Sequence, residues 1–470
     1  MRARSGRGRK RTRALLLSTV ATAGLLTSCG SSGSSASTSS SGPSDSQSGT
    51  RSGSPSSTLP SQLPPETLTF GVIGSSGEIA QYETMAETFA PFTRKVTVKV
   101  EGWPNDAAML GAFRDGEKVP DVFLANQRHL TYLLGHHLVQ PVDELLDDRG
   151  FDFGDEFPHT SLTAFGSDNR LVCLPYGVQP SVIYYNKRLV KLGQLKSDPP
   201  TPGQGWSLAQ FAAAARWAAN HHPGVAGAAL DPSLVGVAPF VYSGGGQLFD
   251  SNTQPTTMTL STSASVQSLT QTVRALRAPG TTLTKAQLSR ASAEEWFQRG
   301  KLAMLQGTRR LVPDLRTTPG LHFDVMPMPS LGTSATAGSL TGLCLSSHPG
   351  DVATAADFLA YASTPGALAL VSYGGYLEPA NQTVALSDAF QQPGQQPKHS
   401  SVFTFSVKSM VYPPDLGQWD DLEEAVDPLI ANLLDARPSQ VPRLARQIDR
   451  ASYRVIGPRY GPSASPSPSP

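Results

Sequence analysis

The chain has 470 residues, with 38 lysines and arginines against 37 aspartates and glutamates, a formal net charge of +1. That balance gives no basic face of the kind nucleic acid requires. Its three cysteines form no CxxC or Cys/His cluster with zinc spacing, so no metal ligand set is expected.

Residues 1–13, "MRARSGRGRKRTR", carry seven basic and no acidic side chains. The apolar run of 13 that follows, "ALLLSTVATAGLL", is too short for a spanning helix, which needs about 20 residues. It fits the hydrophobic region of an export signal over residues 1–28. Leu26-Thr27-Ser28-Cys29 resembles a bacterial lipobox, in which Cys29 is lipidated and becomes the new N-terminus. Acyl chains add about 0.8 kcal/mol per buried methylene, so more than one chain makes a durable anchor. The expected location is the outer face of the cell membrane, tethered and not spanning. Without the leader, 31 basic residues face 37 acidic ones, so the mature chain is acidic.

From Cys29 to residue 65 the chain is almost wholly Ser, Gly, Pro, Thr and Gln. It cannot bury enough apolar surface to offset its conformational entropy and reads as a flexible tether. Residues 462–470, "PSASPSPSP", read as a tail of the same kind. The 396 residues between exceed the size at which one core stops growing, so two domains are expected.

"ETLTFGVIG" predicts a strand entering a glycine turn. Ile79, Tyr82, Met85 and Phe89 then recur at helical spacing. "VTVKV" alternates as a strand, "DAAMLGAF" is a short helix, "PDVFLA" a strand and "HLTYLL" a helix. This β-α alternation predicts a largely parallel sheet covered by helices. In "LVCLPYGVQPSVIYYNK" two apolar runs read as strands broken at Pro175-Tyr176-Gly177. Tyr184 and Tyr185 are neighbours, so in a strand they point to opposite faces and cannot jointly hold a metal without irregular backbone. Asn186-Lys187 suits a strand end and a helix start.

"GWSLAQFAAAARWAAN" carries a capping box from Ser207 to Gln210 and a hydrophobic staple from Trp206 to Phe211. Trp206 is therefore structural, and Trp217 and Trp296 lie in helical patterns as core. "GKLAML", "HFDVMP" and "GSLTGLCLSS" predict strands, "DVATAADFLAYAS" a helix, and residues 418–436 and 438–455 two long amphipathic helices. No GxSxG, P-loop or GxGxxG motif occurs, so neither a nucleophile elbow nor a cofactor cradle is expected. His136-His137 and His221-His222 are adjacent pairs and read as surface residues. Export permits a disulfide between Cys173 and Cys344; two buried free thiols are the simpler reading.

Taken in order, "KVPDVFLAN", "LVQPVDELL", "LPYGVQPSVIYYNKRLVKLG" with "GWSLAQF", "FVYSGGGQLFD", "WFQRGKLAMLQG" and "AADFLAYASTPGALALVSYGGYLEPAN" resemble bacterial extracellular solute-binding protein family 1, the sugar-binding lipoproteins of ABC importers. The resemblance runs from about residue 66 to 456. It implies an α/β, two-lobed periplasmic-binding-protein-like (type II) fold that closes on ligand at a hinge. Lobe I would be 66–176 with 341–380, lobe II 177–340 with 381–461, crossing near 176, 341 and 380. Cys173 and Cys344 would then lie on neighbouring hinge strands, which makes a disulfide more plausible while leaving it open.

Matched residue by residue, the resemblance puts Ser75, Ser76, Gln127, Arg128, Gln179 and Trp419 at the ligand cleft, with Tyr176 and Tyr376 at crossings and Trp103 a weaker candidate. Two positions depart from the pattern. The pattern often has a tryptophan after "AM…G", where this chain reads Gln306-Gly307-Thr308-Arg309-Arg310, and Leu124 stands where some members have one. Arg309 either faces the cleft, favouring a more polar or anionic ligand, or points to solvent. The implied protein is a non-catalytic monomer with no cofactor, binding a small molecule, foremost a sugar, and delivering it to ABC permease subunits. Rival readings are the same fold binding a polyamine, anionic solute or metal chelate, and a surface carbohydrate-active enzyme or sensor lipoprotein. A near-neutral cleft argues against polyamines.

Overall fold

The computed structural model describes residues 63–458, apart from 92–93 and 196–198. The export leader, Cys29, the tail and nearly all of the tether lie outside the described residues. A strand begins at Leu63, so the end of the expected tether already belongs to the fold.

In chain order the strands are β1 (Leu63–Ile73), β2 (Arg94–Trp103), β3 (Val122–Asn126), β4 (Val139–Gln140), β5 (Gly166–Ser167), β6 (Arg170–Leu171) and β7 (Cys173–Pro180). They continue with β8 (Val182–Asn186), β9 (Ala226–Ala229), β10 (Leu302–Gly307), β11 (Phe323–Pro327), β12 (Thr336–Ser346), β13 (Glu378–Pro379) and β14 (Met410–Val411). The first sheet has eight strands, ordered β13-β7-β12-β3-β1-β2 with β4 and β14 also on β12. The second has four, ordered β11-β8-β10-β9. β5 and β6 form a separate hairpin.

Alternation along the strands builds a core on each face. Leu68, Phe70 and Val72 of β1 meet Tyr82 and Met85 of the helix Ser76–Ala86 on one face of the first sheet. Ile73, Phe123 and Cys344 enter a second core on the other. In the second sheet Tyr184 and Tyr185 point to opposite faces and join different cores, as their adjacency predicts. The Tyr184 hydroxyl donates to the Thr308 carbonyl at 2.6 Å. A further core has little sheet in it: helices Leu234–Ser243, Ser263–Ala275, Trp419–Leu434 and Val441–Ile456 pack together with Ala337. Helix Leu208–His221 carries the expected capping box, and Trp206 meets Phe211 with ring centroids 5.3 Å apart.

Three sequence expectations change. The first sheet is mixed: β1 runs parallel to β2 and β3, but β12 is antiparallel to both β3 and β7. Pro175-Tyr176-Gly177 does not divide two strands. β7 continues through it to Pro180, and the pairing with β12 shifts register there instead. Such a bulge admits a proline inside a sheet. A Cβ at Gly177 would overlap the Leu377 Cδ1, so that side chain would have to move to admit one. Nor does a helix start at Asn186-Lys187. The Asn186 side chain accepts from the Arg188 backbone N–H at 2.9 Å and closes a turn.

The chain passes between the sheets at Ser181, which joins β7 to β8. It returns between β11 and β12, and after β13 it reaches the helix Ser401–Val407, which packs on β8 and β11. The first two passages are bonded to each other. Ser181 N–H donates to the Ala337 carbonyl at 2.9 Å, and the Thr336 hydroxyl donates to the Ser181 carbonyl at 2.7 Å. Cys173 and Cys344 face one another across β7 and β12 and form a disulfide spanning 171 positions of sequence. Closing so long a loop restricts the unfolded chain. Replacing both cysteines with alanine is expected to lower the unfolding free energy by about 2–4 kcal/mol, read from the urea midpoint. An unchanged midpoint would show that the bridge adds nothing.

Candidate ligand site at the junction of the sheets

β1 ends at Ile73, Gly74 follows, and Ser75 caps the next helix by accepting the Glu78 backbone N–H at 3.3 Å. Ser75 and Ser76 keep their side chains exposed. The cap places Glu78 one turn in, where it is buried. Its carboxylate stands 3.5 Å from Arg310, in the turn after β10 of the second sheet. This ion pair ties the two sheets together. Burial raises the Glu78 pKa, with the Arg310 charge pulling the other way.

The crossing strand supplies the next groups. Gln179 is 2 % exposed, and its amide Nε2 donates to the Tyr376 carbonyl at 2.8 Å. Its Oε1 is buried with no hydrogen-bond partner, and so is the Tyr176 hydroxyl. Tyr376 is half-buried, with its own hydroxyl against Gly77.

A second polar group forms where the turn after β3 meets the helix Trp419–Leu434. Gln127 is buried there. Arg128 donates to Glu423 at 3.1 Å, and its guanidinium carbon lies 5.6 Å from the Trp419 ring centroid. Asp427, one turn beyond Glu423, accepts the Leu234 backbone N–H at 2.7 Å. Asp231 is placed through Gln306, whose Oε1 accepts its backbone N–H and whose Nε2 donates to the Gly236 carbonyl at 3.0 Å. Burial pushes Asp427 up to about 6, and the neighbouring Glu423 and Asp231 carboxylates add to it.

The structure thus brings Ser75, Ser76, Gln179 and Tyr376 to one side of the junction and Gln127 and Arg128 to another. Three expected contacts are placed otherwise. Trp419 is 0 % exposed, packed in the helical core beside Phe249, because its helix buries a stripe that starts with this residue. Tyr176 lies in the core of the first sheet, its ring 6.4 Å from that of Tyr82. Arg309 faces neither cleft nor solvent. It is sealed, donating to the carbonyls of Gly375 and Phe390 and to the Ser400 hydroxyl, with its guanidinium 4.5 Å from the Phe390 ring centroid. Leu124 is core, and Trp103 is partly buried against Phe113.

Sequence reasoning missed Glu78, Arg310, Asp231, Glu423 and Asp427. One signal was legible: Trp419, Glu423 and Asp427 recur at intervals of four and so share one helix face. Among the described residues no group of His, Cys, Asp or Glu could hold a metal ion, and no helix is long and apolar enough to cross a membrane. Since Trp419 fills a core, Trp419→Ala should cost about 3–5 kcal/mol of stability in chemical denaturation. A cost below about 1 kcal/mol would mean that the ring is not held in that core.

An ABC substrate-binding protein from Listeria monocytogenes, solved with cycloalternan, superposes with a TM-score of 0.68 at 18% identity, covering 84% of this chain and 100% of that one. The GacH receptor of Streptomyces glaucescens, solved unliganded and with acarbose, gives 0.69 at 20% identity, covering 83% and 98%. A maltose-bound protein of T. maritima gives 0.67 at 14% identity, covering 83% and 100%. These likenesses establish the type II periplasmic-binding-protein fold. No curated protein sequence matches the chain. Residues 84–398 match the family described as bacterial extracellular solute-binding protein, and the chain belongs to that family.

Proposed function

We propose that the chain is the substrate-binding lipoprotein of an ABC importer and captures a carbohydrate between two lobes, one built on each sheet. The observation that carries this reading is Gln179. It is a buried amide on the crossing strand with its carbonyl oxygen unpaired, beside the half-buried Tyr376. A planar amide and an aromatic face are the groups that pair with hydroxyls and cover sugar C–H surfaces. The ligands of the structural neighbours, cycloalternan, acarbose and maltose, agree with it. Ser75, Ser76, Gln127, Arg128, Gln179 and Tyr376 touch the ligand in this reading. Tyr176, Arg309 and Trp419 support them from behind. Opening and closing would break and remake the Glu78–Arg310 pair between the sheets.

Asp231, Glu423 and Asp427 favour a second reading, a cationic solute in the same fold, since these carboxylates outnumber Arg128 beside them. Calorimetric titration with maltose, acarbose and spermidine separates the two. Saturable binding of either sugar, weakened about tenfold in Gln179→Leu, is the expected result. Spermidine binding alone would transfer the assignment to the second reading, and no binding of any of the three would defeat both.

The anchor rests on Cys29 and its lipobox. Wild-type and Cys29→Ala chains are expected to separate on cell fractionation, the first with the membrane and the second without it. Equal membrane retention would remove the lipid anchor from the proposal.

A further inference from the structure

Away from those polar groups lies a cavity of about 320 Å³. Its walls come from the helix His159–Ala164, from the pair β7 and β13, and from the helices Gln382–Ala385 and Ser401–Val407. Val178 lines it, whereas Gln179 is the next residue along the strand, and neighbouring strand residues project to opposite faces. The cavity therefore sits on the other face of the crossing strand from the candidate sugar site. It also touches both halves of the fold. β7 and β13 belong to the first sheet, while Val402 and Phe403 of the last helix are in a core of the second.

The chemistry of this cavity is unusual. Glu378, paired through its backbone to Val178, lines it and is 0 % exposed, yet neither carboxylate oxygen makes a well-aligned hydrogen bond, the Thr404 hydroxyl of the same lining being the donor at hand. Arg309, nearby, is bonded to Gly375, Phe390 and Ser400, and exposed Lys408 lines the rim of the cavity with its ammonium 5.3 Å from the Phe405 ring centroid. Burial pushes the Glu378 carboxyl up to about 8, the Arg309 charge and the Thr404 hydroxyl pulling the other way. A buried carboxylate without a partner is costly, which keeps this carboxyl largely protonated at neutral pH, and a cation brought in from outside would favour its ionised form. The rest of the lining is largely apolar, and at its edge Leu386 and Phe405 are 68% and 58% exposed.

We propose that this cavity is a second ligand site, taking a small amphipathic primary ammonium whose cationic head meets Glu378 and whose apolar body lies against Val178, Met410, Leu386 and Phe405. An ammonium has three donors for the two free oxygens, and its apolar tail covers surface now left to water. A volume near 300 Å³ is at the lower end for small-molecule sites and admits one such compound. Nothing in this site depends on which solute the main cleft takes.

The probe is 2-phenylethylamine, titrated calorimetrically into the full chain, with the uncharged 2-phenylethanol as its control. The expected result is one saturable site for the amine and binding at least about tenfold weaker for the alcohol. Glu378→Gln keeps the shape of the side chain and should abolish that preference. Leu386→Arg, an exposed change at the rim, should weaken the amine by repulsion without altering the fold, and it serves as the test if Glu378→Gln does not fold. Asp427→Asn, in the other acidic group, should leave amine binding unchanged. Absence of amine binding at millimolar concentration, equal binding of the alcohol, or amine binding untouched by both Glu378→Gln and Leu386→Arg would overturn the proposal. Loss of amine binding in Asp427→Asn would do so too, by locating the amine in the main cleft.

Discussion

β7 and β12 lie side by side in opposite directions, and each connects directly to the second sheet. Because they are antiparallel neighbours, the two passages cross at one place and can hydrogen-bond to each other. Ser181 and Thr336–Ala337 do so. Close approach there depends on Gly338, where a Cβ would overlap the Gln179 carbonyl. At the far end of the same pair the disulfide locks Cys173 to Cys344. The strand pair is thus fastened at both ends, and its register shift at Tyr176 places Gln179 and Val178 on their respective faces.

This junction concentrates polar groups that a core would exclude, and they divide into two kinds. Arg309 is fully buried and well supplied: three protein acceptors and two aromatic faces surround its guanidinium. Burial lowers its pKa to about 10, which leaves it charged at neutral pH. It therefore acts as a rivet between the turn after β10 and the segments around Gly375, Phe390 and Ser400. The Gln179 Oε1, the Tyr176 hydroxyl and the Glu378 carboxylate have no such supply. An unpaired buried polar atom costs about 1–3 kcal/mol, so folds keep few of them without a use. These three lie on or beside one crossing strand, Tyr176 and Gln179 within β7 and Glu378 paired to it.

Legibility followed distance along the chain. The capping box at Ser207, the Trp206–Phe211 staple and the opposite facing of Tyr184 and Tyr185 are settled within a few residues, and each was readable. The β-α order and the ordered blocks "PDVF", "YYNK" and "YGGYLEPAN" were enough for the family and fold class. The break at Pro175-Tyr176-Gly177 was misread because a turn and a bulge use the same residues. What separates them is a partner strand 160 or more positions away, which the local sequence does not contain.

Local chemistry, periodicity and the series of motifs were therefore determined by sequence alone, since caps, staples and strand alternation depend on neighbours in the chain. Only the tertiary structure decided which candidate side chains remain available. Trp419 is stacked under Arg128 and enclosed by helices that begin nearly 200 residues earlier. Arg309 is consumed by acceptors 66 to 91 positions away. Glu78 meets Arg310 only because the helix after β1 and the turn after β10 converge at the hinge. Availability is set by which groups reach a side chain first, and those groups come from strands and helices that only the folded chain brings together.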